Sequence, residues 1–366
     1  MMLEILTELL KLTSKENASD LYLKAGSPPV LRIEGELCPI KMEKMLPEQT
    51  EALANEIMND NQRKNFITRP EVNFIYSVSG VGRFRINIYR QRGSVSFVIR
   101  KVRNEIPTID SLMLPPVLKD ISMIPRGLVL VTGPTGSGKS TTMAAILDWI
   151  NENRSGHIIT IEDPIEYLHK DKRCIVSQRE IGTDTNDFSD ALKNVVRQTP
   201  DVVMVGEMRD RESVAAATFF AETGHLVMSS LHSSNTTQAI ERIIQFFPTE
   251  VHTEIFMQLS LNLRAILSQR LVPKADGSGR VVAIEILVNN ARLKELIRQG
   301  EFNQIKKELD FFTTEGMQTM DSALFKLFQE ELITMETALA YADSPNDLRL
   351  RIKTMPKKTV DMRASS

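Results

Sequence analysis

Residues 127–147 read GLVLVTGPTGSGKSTTMAAIL: an apolar run, a glycine-rich loop and a helix-forming segment in direct succession. The loop, residues 133–140, fits G-x-x-x-x-G-K-[ST], a spacing that a chain of 366 residues matches by chance roughly once in a hundred tries. Gly133, Gly136 and Gly138 let the backbone turn tightly, with its N–H groups pointing inward around phosphate oxygens. The helix opening near Lys139 adds its positive N-terminal end. Lys139 reaches the β- and γ-phosphates, and the Ser140 hydroxyl is placed to ligate Mg²⁺. Pro134, Thr135, Ser137 and Thr141 complete the candidate nucleotide-binding segment. The competing reading is a flexible glycine linker, but the strand before the loop and the helix after it are the setting that the phosphate motif requires.

Ligands of open α/β sheets bind at the carboxyl ends of the strands, so the other strand ends matter. Downstream, apolar runs alternate with amphipathic segments: HIITIE, DFSDALKNVVRQ, DVVMVGE, RESVAAATFFAETG and HLVMSSLH. Near-continuous apolar strands between such helices indicate a parallel-rich sheet covered on both faces. Past about residue 250 the pattern is mostly helical, apart from VVAIEILV. HIITI ends in Glu162 and Asp163, with Pro164 and Glu166 following; DVVMV ends in Gly206 and Glu207; HLVMSSL ends in His232. Singly, these are ordinary loop acids and a structural histidine. Beside a phosphate cradle they match the needs of phosphoryl transfer to water: a cation site, a water-orienting base and a sensor of the γ-phosphate.

The first third reads as α+β. A helix-like opening precedes the strand-like segments DLYLKAG and VLRIEGEL, then a polar helical pattern over residues 47–66 and two further strands, GRFRINIY and SVSFVIR. Phe84, Ile86 and Ile88 share one face of the first of these, and Arg83, Arg85 and Asn87 the other. A hairpin-like turn joins the two. Six arginines, Arg83, Arg85, Arg90, Arg92, Arg100 and Arg103, fall within 21 residues. A solvated sheet face is the plain reading; arginines that stabilise transition-state charge on phosphate are the functional one. Prolines at 107, 115, 116 and 125 mark a linker with one short helix.

A chain of this length favours two domains. The expected division is residues 1–102, a linker at 103–113, and residues 114–366, the last with a helical C-terminal region and tail. A net charge of −2 gives no support to bulk binding of nucleic acid or anionic lipid. Two cysteines exclude a disulfide scaffold and a four-cysteine zinc site, and suit a reducing compartment. The opening residues lack a signal-peptide pattern, and no run approaches the length of a membrane span. A cytoplasmic protein without membrane insertion is expected.

In this order the motifs resemble the secretion-type hexameric ATPases, specifically the type IV pilus retraction motors. GPTGSGKSTT resembles that family's Walker A motif, TIEDPIE its acidic box, VVMVGEMRD its Walker B motif and GHLVMSSLH its histidine box, while ASDLYLKAGSPPVLRIEGEL is similar to its N-terminal signature. The resemblance implies a RecA-like P-loop ATPase domain preceded by a smaller PAS-like α+β domain, assembled as a homo-hexamer that hydrolyses ATP with Mg²⁺. It further implies Glu162 as general base, Glu207 holding Mg²⁺ through water alongside Ser140, His232 as a further catalytic residue, and Arg85 and Arg100 closing on the phosphates. Residues 291–309, ARLKELIRQGEFNQIKKEL, and Thr199 in RQTPD depart from the principal retraction motors and look more like the accessory ones. The implied partners are the principal retraction ATPase paralogue and the inner-membrane pilus platform protein, at the cytoplasmic face of the inner membrane. Competing classes are a RecA-like nucleic-acid translocase, a pilus assembly or secretion ATPase of the same superfamily, and a regulator that binds nucleotide without turnover. One Trp, five Tyr and a slightly acidic balance argue against the nucleic-acid reading.

Overall fold

The computed structural model describes residues 2–33, 35–102, 105–311 and 316–354. Arg103, the start of the expected linker and the tail beyond residue 354 lie outside the described residues. The chain divides into two compact units: residues 1–105 with 166–168, and residues 106–165 with 169–366.

The first unit contains α1 (Met2–Lys15), β1 (Asp20–Lys24), β2 (Val30–Ile33), β3 (Glu36–Pro39), α2 (Pro47–Ile57), α3 (Asp60–Thr68), β4 (Glu71–Val78), β5 (Gly82–Gln91) and β6 (Ser94–Lys101). Its six strands pair antiparallel in the order β3-β2-β1-β6-β5-β4. Phe84, Ile86 and Ile88 of β5 and Val95, Phe97 and Ile99 of β6 are buried in one core with Leu6, Leu10 and Leu53 of the helices. Each such side chain contributes about 1.5–3 kcal/mol through its burial. The β5–β6 turn places Arg92 and Gly93 at φ 50° and 79°, the left-handed pair whose twist suits a two-residue hairpin. The polar segment 47–66 forms two helices instead of a continuous one. Met58 is extended, and Asn59 restarts the chain with a reciprocal cap to Gln62. β4 is a strand that the sequence reading lacked; Val72, Phe74, Tyr76 and Val78 alternate onto the core, with Ile75 blurring the period.

The second unit contains α4 (Val117–Ser122), β7 (Gly127–Thr132), α5 (Lys139–Asn153), β8 (Gly156–Glu162), β9 (Cys174–Glu180), α6 (Phe188–Val195), β10 (Val202–Val205), α7 (Arg211–Glu222), β11 (Leu226–Leu231), α8 (Thr236–Gln245), α9 (His252–Asn262), β12 (Leu263–Pro273) and β13 (Arg280–Val288). Then follow α10 (Ala291–Gln299), α11 (Phe302–Phe311), α12 (Met320–Gln329), α13 (Met335–Tyr341) and α14 (Pro345–Lys353). Its sheet runs β13-β12-β7-β11-β10-β8-β9, parallel throughout except for β12 against β13. Leu128 and Leu130 of β7 enter one core with residues of α6–α10; Val129 and Val131 enter the opposite core with residues of α4 and α5. Burial on both faces is why these strands read as unbroken apolar runs. A third core seats α12–α14 on Val272, Val281 and Ala283. Among the described residues no helix is long and apolar enough to cross a membrane.

Candidate active site

The phosphate-type loop sits between β7 and α5. Gly133, Gly136 and Gly138 have φ of 146°, 77° and 89°, where a side chain is strained. At Gly133 a Cβ would also fall 2.5 Å from the Gln269 carbonyl oxygen and 2.6 Å from Ser137 Oγ. Lys139 Nζ donates to the carbonyls of Gly133 and Pro134 at 2.9 and 3.0 Å, lying along the loop that it must serve. Ser140 and Thr141 are half-buried in the first turn of α5, while Pro134, Thr135 and Gly136 are exposed. Beneath the loop, fully buried Gln269 of β12 donates from Nε2 to the Ser137 carbonyl at 2.7 Å. The buried hydroxyls of Thr132 and Ser137 have no hydrogen-bond partner among the described residues.

The neighbouring strands deliver their terminal residues to the same edge. Leu231 of β11 pairs with Thr132 of β7, so His232 comes level with Gly133. Val205 of β10 pairs with Ile161 of β8, which sets Gly206 beside Glu162. A Cβ on Gly206 would lie 3.2 Å from the Ile161 carbonyl oxygen, which keeps these two strand ends close. His232 Nε2 lies 3.0 Å from Glu207 Oε1, and Arg209 Nε donates to Glu207 Oε2 at 2.7 Å. Arg209 Nη1 reaches Asp163 at 3.4 Å. The hydrogen bond to Glu207 holds the Arg209 guanidinium above its ordinary pKa. Arg209 is therefore the cation that binds the acids of two strand ends together.

Glu162 behaves differently from a solvated loop acid. It is the last residue of β8, only 8% exposed, and it accepts from Thr160 Oγ1 at 2.6 Å and from Gln178 Nε2 at 3.0 Å. Gln178 uses its other amide atom to accept the His169 N–H at 2.8 Å, which ties the far end of the β8–β9 connection to Glu162. Burial lowers the His169 pKa to about 4. Within that connection the Asp163–Pro164 bond is cis, and buried Glu180 accepts the Ile165 N–H at 3.1 Å.

Arg85 and Arg100 face each other in register across β5 and β6 in the first unit. Arg85 is half-buried; Arg100 is exposed and donates to buried Asp20 at 2.8 Å. The loop, Glu162, Glu207 and His232 thus belong to one unit and the arginine pair to the other.

Four side chains escaped the sequence reading. Thr160 stands two residues before Glu162 on the same strand face, so a lone hydroxyl in an apolar strand was its signal. Arg209 stands two residues after Glu207. Gln178 and Gln269 lie on β9 and β12, strands that the sequence reading did not contain.

A glycine cradle on the carboxyl edge of a parallel sheet, with acids and a histidine from adjacent strands, is the arrangement of a P-loop ATPase. Residues 96–321 match the family described as Type II/IV secretion system protein. The chain is similar to the type IV pilus ATPase PilU of Pseudomonas aeruginosa, 48% identical over 97% of this chain and 93% of that one. It is 43% identical to the type IV pilus retraction ATPase PilT of the same organism, over 93% of this chain and 99% of that one. A crystal structure of the pilus retraction motor PilT with bound ADP superposes with a TM-score of 0.89 at 44% identity, covering 94% of this chain and 98% of that one. The chain belongs to the Type II/IV secretion system protein family, among its type IV pilus retraction ATPases, and is an ATP hydrolase.

Proposed function

We propose that this ATPase acts as a homo-hexameric motor in type IV pilus retraction, at the cytoplasmic face of the inner membrane. It works there as accessory to the principal retraction ATPase and engages the pilus platform protein. The observation carrying this reading is the convergence of Lys139, Glu162, Glu207 and His232 on one edge of the parallel sheet in a chain whose relatives are pilus ATPases. The accessory role is supported by residues 291–309 and Thr199, where the chain departs from the principal retraction motors, and the identity to the retraction ATPase PilT, 43%, is lower than that to the type IV pilus ATPase PilU, 48%.

In this reading the loop amides and Lys139 bind the β- and γ-phosphates. The donor set fits Mg²⁺, with the Ser140 hydroxyl and, through water, the Glu207 carboxylate as its holders; when bound it would neutralise charge on the phosphates. Glu162 takes the proton of the attacking water as its oxygen bonds to the γ-phosphorus and the bridging oxygen leaves on ADP. Thr160 and Gln178 donate to that carboxylate and orient it, and His232 and Arg209 hold the Glu207 carboxylate. His232 senses the γ-phosphate, and Arg85 and Arg100 stabilise charge in the transition state.

The accessory role is tested by retraction measurements in strains lacking this chain, with and without the principal retraction paralogue. Loss of this chain is expected to weaken retraction, and this chain alone should not sustain it. Full retraction by this chain without the paralogue would contradict the accessory role.

A further inference from the structure

The stretch following His232 is held by side chains of β12 and β13. The Ser234 carbonyl accepts from Arg270 Nη2 at 3.2 Å and from Ser268 Oγ at 3.4 Å. Two residues on, the Thr236 N–H donates to Glu285 Oε1 at 2.8 Å. Residues 232–235 therefore run between the active-site edge and two anchors, Arg270 on β12 and Glu285 on β13.

Each anchor also grips the C-terminal helical layer. Arg270 pairs with Asp343 at 2.6 Å and donates to the Tyr341 carbonyl, at the end of α13. Glu285 accepts the Met320 N–H at 3.3 Å, where α12 begins. Asp321 of α12 accepts the N–H groups of Asp343 and Ser344 at 2.7 and 2.9 Å, which closes both grips into one network. Glu285 is 3% exposed, and Arg270 and Asp343 keep only 19% and 13% of their side chains exposed. The enclosed Arg270–Asp343 pair holds firmly, because a broken bond leaves a desolvated charge unpaired, while burial pushes the Glu285 pKa up and its oxygens are held as acceptors of two backbone N–H groups.

We propose that Arg270 and Glu285 are positioning residues for hydrolysis, which set His232 against Glu207 according to how α12–α14 are seated. Turnover then depends on the placement of the C-terminal helical layer. The inference rests on His232 acting in hydrolysis. A merely structural role for the two anchors would change melting temperature and leave the turnover of folded protein intact.

The test uses the full chain with Asp343→Asn, Arg270→Lys or Glu285→Gln, assayed well below each melting temperature. Asp343→Asn is the decisive variant, because it disturbs Arg270 from the C-terminal layer and spares both anchors if they prove intolerant of change. The expected result is a kcat at least about fivefold lower with ADP affinity unchanged within about twofold. In a His232→Ala background, Asp343→Asn should produce no further loss, since coupled residues are not additive. Unchanged kcat in Asp343→Asn, or full additivity with His232→Ala, would overturn the inference and leave the site reading standing. Unchanged kcat in His232→Ala alone would overturn both.

Discussion

The Ser137 carbonyl turns toward the sheet, and the Gln269 amide meets it at 2.7 Å in a fully buried position. Replacing Gln269 by leucine keeps the volume and removes the donor, leaving that carbonyl buried and unpaired at a cost of about 1–3 kcal/mol. Gln269→Leu is expected to weaken ADP binding about tenfold, measured by titration calorimetry, since part of that cost falls on the loop shape that binds phosphate. Unchanged binding would mean that the loop holds itself. The spacing G-x-x-x-x-G-K-[ST] alone singles out Gly133, Lys139 and Ser140 as candidates, whereas Glu207 is singled out by its place at the end of an apolar strand. The supporting side chains were less legible. Thr160 could be found by period two from Glu162, but Gln178 and Gln269 reach the site only through pairing between strands distant in sequence.

Among the elements, the β8–β9 connection carries a titration of its own. His169 has a pKa of about 4 in the fold against 6.5 for an ordinary histidine, because burial disfavours its charged form. Between these values the unfolded chain binds a proton that the folded chain does not. Stability is therefore complete above about pH 6.5 and falls as pH drops toward 4. His169→Gln should flatten that pH dependence relative to the parent, by about 3 kcal/mol at pH 4 in paired denaturant titrations. Identical slopes in the two proteins would contradict the assignment. Strands buried on both faces were legible as apolar runs, as β7, β8, β10 and β11 show. β12 was not, because it follows α9 with no turn residue between Asn262 and Leu263, and its Arg264, Ser268, Gln269 and Arg270 break the apolar pattern. The break in segment 47–66 was written locally, in the Asn59–Gln62 cap.

For the whole molecule, order along the chain carried most of the information. A six-stranded antiparallel sheet precedes a seven-stranded parallel-rich one; the alternation of strands and helices implied the second, and the motif set already pointed to the family. Arg85 belongs to this scale, since its proposed role joins the first unit to chemistry in the second. Arg85→Ala is expected to preserve the unfolding free energy within about 1 kcal/mol, as a half-buried side chain without a core role, while cutting ATP turnover about a hundredfold. An unchanged rate would return the arginine pair to a solvated sheet face.

The proposed mechanism puts hydrolysis at the sheet edge holding Lys139, Glu162 and Glu207. It is tested most directly by phosphate release from the purified full chain, with ADP and ATP binding measured on the same samples of the parent, Lys139→Ala, Glu162→Gln and Glu207→Gln. Lys139→Ala should lose turnover altogether, and each glutamine variant should bind ATP while hydrolysing it about a hundredfold more slowly. Turnover at the parent rate in Lys139→Ala, or in both glutamine variants, would contradict the account.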